Sequence, residues 1–274
     1  MSRRQLIMEK SIELFAKNGI EATSVQHITE SCGISKGAFY LSFKSKDELI
    51  IAIIDYFMKE IVAKFDQIVS SDLLNEEKLF QFYLYSLTMF EKHRDFAKMY
   101  IQEQMHTFNE ELFQTLSGYD ELLNQSILAL IDGIYGEQVS KARYDLLLCI
   151  KGFVNAYTTL ILHQRFPHNL EKIARVLVDK TNCLGFYSKE VYTTKEMLEL
   201  DNESEFSLQS VLEEIGELEK DSPEELHRES LLLLKEELLS SDPRQAIVKG
   251  LMGNLKDEDS FQWLLFMLKK YFKR

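Results

Sequence analysis

Apolar residues recur along this chain at intervals of three and four, and alternation of apolar and polar positions never persists beyond a few residues. That period predicts helices throughout and an all-α fold. A first helix is expected over residues 3–18, with Ile7, Ser11, Leu14 and Phe15 on one face and Gly19 as its C-terminal stop. Two short helices follow, one capped by Thr23 or Ser24 and ending near Cys32, the other capped by Ser35 and running to Ser42, with Gly33 breaking the chain between them. Ser45-Lys46-Asp47-Glu48 has the form of a capping box and opens a long helix carrying Leu49, Ile53, Phe57 and Ile61 at helical spacing.

Five further helices are predicted at 77–92, 94–107, 109–135, 138–166 and 169–187, with Pro167 interrupting the last pair. Ser222-Pro223-Glu224-Glu225 and Asp242-Pro243-Arg244-Gln245 each combine an N-cap, proline at the first helical position and Glu or Gln at the third, so helices are expected to start there. Between them and the body, residues 196–229 hold 13 acidic side chains against Lys220 and Arg228, and read as a linker with solvated helical faces. The final stretch, 261–274, is amphipathic through Phe261, Leu264, Leu265, Leu268, Tyr271 and Phe272. Packing against its own domain or a partner subunit is the expected use, rather than a membrane surface.

Composition narrows the class. The chain has 274 residues, 45% of them hydrophobic and 28% charged, with only 11 Gly and 3 Pro, which disfavours β-sandwiches and Gly-rich α/β enzymes. Cys32, Cys149 and Cys183 are odd in number and widely spaced, so a reduced chain without a zinc site is expected, and no metal or cofactor. His163 and His168 read as charge complements at a helix C-terminus. Glu9, Lys10 and Glu13 interrupt the position of a signal peptide, and Asp145 and Lys151 interrupt the apolar stretch 144–162, so a soluble, cytoplasmic protein without stable membrane association is expected.

The net charge of −12 argues against a polyanionic partner for the chain as a whole. Its distribution reverses that inference. Residues 1–50 carry seven basic and six acidic side chains, and 35–46 carry Lys36, Lys44 and Lys46 with no acid. The two short helices joined through Cys32-Gly33-Ile34-Ser35 have the layout of a helix-turn-helix, whose second helix is sized for a DNA major groove. Val25, Ile28, Ile34, Phe39 and Phe43 are spaced to bury one core with Phe15, leaving Ser35, Lys36, Gly37, Ala38, Tyr40 and Ser42 on the complementary face. Gly33-Ile34-Ser35-Lys36-Gly37 also fits the nucleophile-elbow pattern G-x-S-x-G, but that motif needs a preceding strand and a helix stands there, so no enzyme is expected.

Residues 3–50 resemble the DNA-binding domain of the TetR family of bacterial transcriptional regulators, on Leu14-Phe15, Gly19, Thr23, Val25, Ile28, Gly33-Ile34-Ser35, Gly37, Phe39-Tyr40, Phe43, Lys46 and Leu49. Thr29 and Cys32 stand where that family usually has alanine, and both are small. The resemblance implies that Tyr40 and Lys46 hold phosphates beside the N-terminal end of the long helix, and that Ser24 and Ser35 add phosphate contacts. It implies that Gln26, Lys36, Gly37, Ala38 and Ser42 face base edges, with Arg3 and Arg4 reaching phosphates or a minor groove. Beyond the site, it implies a DNA-binding domain at 1–47 and an effector-binding and dimerisation domain at 48–190, leaving 191–274 as an acidic helical extension.

The helices at 138–166 and 169–187, rich in Leu146, Leu147, Ile150, Phe153, Val154, Tyr157, Leu160 and Ile161, are the expected homodimer contact. The block Phe80, Phe82, Tyr83, Tyr85, Phe90, Phe96, Tyr100, Met105, Phe108 and Phe113 is expected to be core that can also enclose a small hydrophobic effector of unknown identity. The function so implied is a ligand-responsive repressor that binds palindromic double-stranded operator DNA as a homodimer. The alternative is a helical interaction or lipid-binding protein that has lost DNA binding.

Overall fold

A computed structural model describes residues 2–98, 110–163, 169–188, 190–198, 206–222, 224–240 and 242–272. Tyr100, Met105, Phe108, Pro167, His168 and Pro223 lie outside the described residues, as does the side chain of Phe113. The described elements are helical, with no strand among them.

Helix α1 (Arg3–Asn18) is capped by the Ser2 hydroxyl and ends at Gly19, whose φ of 84° suits a residue without Cβ. Helix α2 (Val25–Cys32) is capped by Ser24 rather than Thr23. Thr23 is buried and instead donates its hydroxyl to the Gly19 carbonyl at 2.8 Å. Gly33 closes α2 in the left-handed region, at φ 65° and ψ 32°. Helix α3 (Lys36–Tyr40), capped by Ser35, stops short of Ser42 because the chain tightens into a turn, with the Ser42 N–H donating to Phe39 O at 2.8 Å. Helix α4 (Lys46–Ser70) opens on the expected box, the Ser45 hydroxyl accepting from Glu48 N at 3.0 Å. The return arm differs from the expected pattern: the Glu48 carboxylate accepts from Lys44 N at 2.7 Å, one residue outside the cap. Ile7, Phe15, Ile28, Phe39, Phe43 and Leu49 form the buried centre of this N-terminal unit.

The body comprises α5 (Asn75–Lys92), α6 (Glu110–Tyr135), α7 (Arg143–His163) and α8 (Leu170–Tyr187). Helix α4 packs on α5 and α6, and α5 lies against α7 and α8. A buried hydrogen bond between the Tyr83 and Thr181 hydroxyls, 2.7 Å, crosses the α5–α8 contact. Residues 94–98 are helical, the described part of the helix expected at 94–107. Helix α7 begins later than residue 138, because Gly136 turns the chain at φ 56° into a 3₁₀ turn, Gly136–Val139, that buries Val139. By length and composition α7 is apolar enough to cross a membrane. Here it packs on α5, α6 and α8 with Leu146, Leu147, Ile150, Ile161 and Leu162 buried, and its Lys151 pairs with Asp120 at 2.6 Å.

The C-terminal region departs most from expectation. Residues 190–198 form a strap fixed to the first turn of α7, where Asp145 accepts from the Tyr192 and Thr193 backbone N–H groups at 3.0 and 3.1 Å and from the Thr193 hydroxyl at 2.6 Å. Then come α9 (Leu208–Asp221), α10 (Glu225–Leu239), α11 (Gln245–Leu255) and α12 (Gln262–Tyr271). The acidic segment is no solvated linker where it is described, since Val211 and Ile215 of α9 are fully buried. Leu208, Val211, Leu212, Ile215 and Leu218 fall at helical spacing, and this stripe prevails over the acid count.

Both expected helix starts are two residues late. Ser222 closes α9 instead of capping α10, which begins at Glu225. Helix α11 begins at Gln245 because the Glu237 carboxylate accepts from Arg244 N at 2.5 Å and pairs with its guanidinium at 2.8 Å, holding residue 244 extended. In α12, Trp263 through Leu268 are all buried, and the helix packs on α4 and α9.

Candidate nucleic-acid interface

Three N-caps orient the candidate surface. Ser24 accepts from His27 N at 3.2 Å, Ser35 from Ala38 N at 3.1 Å, and Ser45 from Glu48 N at 3.0 Å. The first two serines are exposed and were expected to meet phosphates; their hydroxyls are engaged in capping, so each can still donate its proton outward while it accepts. Helices α2 and α3 are held at a fixed angle by Phe39, which is fully buried and lies 6.0 Å from the Phe43 ring.

That packing turns one face of α3 outward. Lys36 and Gly37 are exposed, Ala38 and Ser42 half-buried, and Tyr40 is 53% exposed with its ring set edge-on against Phe39 at 5.4 Å. The Ser42 hydroxyl leans back on Ala38 O at 3.4 Å. Gly37 is informative because nothing inside the protein demands it. Its backbone is helical, and an added Cβ would meet only Ser35 Oγ at 3.8 Å, an ordinary contact. Glycine in a helix costs up to about 1 kcal/mol relative to alanine. What it provides is a bare backbone on the exposed side, which suits close approach by another molecule.

The remaining candidates divide in role. Gln26 is exposed, but its amide donates to Glu30 Oε1 at 2.9 Å, a contact that pairing with a base must displace. Lys46 is half-buried, and its ammonium donates to the carbonyls of Ile20 at 2.9 Å and Thr23 at 3.3 Å. It therefore ties the start of α4 to the loop before α2, with a third donor left to point outward. Arg4 lies over the Phe43 ring at 4.2 Å and donates to Ser42 O at 2.8 Å, so it braces the α3–α4 turn from α1. The resemblance implies a DNA contact for Arg4 and gives no sign of this brace, whose signal in the sequence is an arginine upstream of an aromatic turn. Lys44, exposed in the same turn, was counted among the lysines but not among the site residues.

A buried polar group also marks the body. His93 follows α5 with Nε2 buried and without a hydrogen-bond partner among the described residues, beside the Phe57 ring at 4.9 Å, and Phe57 in turn stacks on Phe96 at 4.0 Å. Burial holds its imidazole below the usual histidine range, aided by the Lys92 charge.

A family model for bacterial regulatory proteins of the tetR family matches residues 7–53. The uncharacterized HTH-type transcriptional regulator YerO of Bacillus subtilis (strain 168) is 27% identical over 98% of this chain and 96% of its own length. Among solved structures, the ketosteroid transcriptional regulator KstR2 of Mycobacterium tuberculosis superposes with a TM-score of 0.56 at 23% identity, covering 69% of this chain and 96% of its own. The transcriptional regulator FadR of Bacillus subtilis, solved in complex with stearoyl-CoA, gives 0.53 at 20% identity, covering 65% and 96%. At those identities the two structures establish the fold, and both leave part of this chain unmatched where YerO matches nearly throughout.

Proposed function

We propose that this chain, a member of the TetR family of bacterial regulatory proteins, is a cytoplasmic repressor that binds a palindromic operator as a homodimer and leaves it when a small hydrophobic effector binds. The observation that carries the reading is the outward face of α3: free of acids from Ser35 to Lys46, with Tyr40 exposed and Gly37 bare where packing asks for neither. In this division residues 1–47 meet DNA, 48–190 bind effector and dimerise, and 191–274 form an added helical unit. Tyr40, Lys46, Ser24 and Ser35 hold phosphates while Gln26, Lys36, Gly37, Ala38 and Ser42 lie against base edges.

Dimerisation is supported by apolar side chains that α7 and α8 leave exposed, Leu148, Leu160, Val176, Phe186 and Tyr187. Two copies of α3 about 34 Å apart read successive major grooves of one DNA face. The effector reading is supported by the stack of Phe57, on α4, against Phe96, with the buried His93 Nε2 beside Phe57 and without a partner among the described residues, an apolar wall carrying one polar handle. KstR2 and FadR, the latter holding stearoyl-CoA, suggest a steroid or long acyl class. Binding there favours a position of α4 that moves the two α3 helices out of register.

The test is a fluorescence titration of the full-length protein on DNA flanking its own gene, at several salt concentrations. Tight, salt-dependent binding of two chains per site, weakened by acyl-CoA or steroid, supports the reading. Binding no tighter than to unrelated DNA overturns it.

A further inference from the structure

Helix α4 belongs to two units at once. Its first turn buries Leu49 in the N-terminal core and ties Lys46 to the loop before α2, while its remainder is packed in the body, so a shift of α4 is passed to α1 and to that loop, and through α2 to α3. The C-terminal helices seize α4 midway. Lys59 of α4 donates to Glu214 of α9 at 2.8 Å and to Asp55 one turn back at 3.1 Å, with the Trp263 ring of α12 5.9 Å from its nitrogen. Two turns on, Lys269 of α12 pairs with Asp66 at 2.8 Å. The same helix is anchored to α6, where Lys270 donates to Gln125 at 2.6 Å and Tyr119, itself bonded to Asp55 at 2.5 Å, lies 6.1 Å from Trp263.

We propose that α9 and α12 are a built-in clamp that holds α4, and through it α3, in the operator-competent position, with Lys59–Glu214 as the fixing pair and Lys269–Asp66 as its outer support. The inference rests on the DNA-binding reading above. Lys59 and Glu214 are 25% and 13% exposed, so the Glu214 carboxylate is poorly hydrated and separating it from Lys59 is unfavourable, while Lys59 keeps Asp55 as a second partner. Lys59 lies 13 residues beyond Lys46, or about 20 Å along the helix axis at 1.5 Å per residue. At that radius a tilt of about 3° about Lys59 moves the start of α4 by about 1 Å, enough to disturb a hydrogen bond to DNA. A clamp that removes such tilts raises the fraction of molecules competent to bind, and with it the apparent affinity. Lys59, Glu214, Lys269 and Asp66 are positioning residues that touch no DNA.

The experiment compares full-length wild type, Glu214→Gln, Lys269→Glu and the double variant Lys269→Glu/Asp66→Lys on the operator, with hydrogen exchange of α4 measured in parallel. Glu214→Gln is expected to lower operator affinity about tenfold, corresponding to a competent population of about a tenth. The salt slope stays unchanged because no phosphate contact is touched. Exchange in residues 55–66 is expected to quicken. Lys269→Glu weakens binding while far-ultraviolet circular dichroism shows it folded, and the double variant, which re-forms the pair with opposite charges, restores binding. The Lys269–Asp66 pair, 43% and 24% exposed, tolerates exchange even if Glu214→Gln proves unstable. Folded variants that bind as tightly as wild type, or more tightly, overturn the clamp, as does a double variant that fails to recover. A wild type that binds no flanking DNA overturns the DNA reading itself, and is seen separately from any variant effect.

Discussion

Replacing Gly37 with alanine should stabilise the protein while weakening its hold on DNA. The residue is the second of α3, its backbone is helical, and the new methyl would find Ser35 Oγ at 3.8 Å as its only close neighbour, so no atom has to move. Alanine in place of glycine at a compatible site gains about 0.4–1 kcal/mol, mainly by narrowing the unfolded ensemble. In the first turn of a five-residue helix a gain of about 0.5 kcal/mol is expected. For a chain of this size that corresponds to a rise in Tm of about 1–2 °C. The same methyl stands where DNA would approach the bare backbone, and a loss of affinity of about tenfold or more, about 1.4 kcal/mol, is expected. Thermal unfolding followed by circular dichroism and a fluorescence titration on the operator measure the two effects on one sample. A lower Tm would mean that α3 is crowded on this side; undiminished affinity would mean that DNA does not meet this face.

Tyr40→Phe removes a hydroxyl with no hydrogen bond among the described residues, so stability should stay within about 0.5 kcal/mol of wild type, while DNA binding weakens at every salt concentration with the salt slope unchanged, because the lost hydroxyl is neutral. Lys46→Met should lose about 2 kcal/mol of stability as well, because its ammonium also holds the Ile20 and Thr23 carbonyls; a salt slope equal to that of wild type would confine Lys46 to scaffolding. Gly185→Ala places a Cβ 2.7 Å from the Tyr135 ring, which is 4% exposed and bonded to Asn182, so a loss of about 1–3 kcal/mol is expected by urea unfolding, and wild-type stability would show that the ring moves freely. His93, held below the usual histidine range, binds its proton more readily when unfolded. Stability should therefore be full above about pH 7 and decline as pH falls through about 6.5. His93→Gln should flatten that stretch of a Tm-against-pH curve, and an unflattened curve would remove His93 as its source.

The N-terminal unit was legible almost residue by residue because its signals are local. Ser35 and Ser45 cap, Gly33 takes a left-handed turn, and Phe39 faces inward by spacing alone. Failures arose where a distant group outweighed a local rule. Pro243 marks a helix start by sequence, yet Glu237, seven residues before Arg244 in the preceding helix, takes the Arg244 N–H first, a competition that the local cap pattern from Asp242 to Gln245 does not contain. The acid count of α9 suggested solvation because summed charge ignores direction, whereas five apolar positions at helical spacing turn one side inward and carry Glu214 to Lys59. Arg4 shows the same limit: a basic residue near a helix-turn-helix motif can brace the motif's own turn, a role that charge alone does not reveal.

The net charge of −12 is the feature most open to misreading, because it is a sum over the whole chain, while a ligand responds to charges within a Debye length of about 8 Å at physiological salt. On the proposed reading, DNA laid on α3 would meet Lys36, Lys44 and Lys46, whereas the 13 acids of 196–229 belong to a region whose helix α9 packs on α10 and α12, with Glu214 paired to Lys59. So few basic groups at the surface imply few released counterions and weak non-specific binding. On that same reading, specificity would then come from geometry: two copies of α3 in a homodimer at a fixed separation, each positioned through α4. An interface poor in charge depends more heavily on that positioning than a basic one does, and this is a physical reason for a regulator of this kind to carry additional helices against α4 rather than additional lysines on α3.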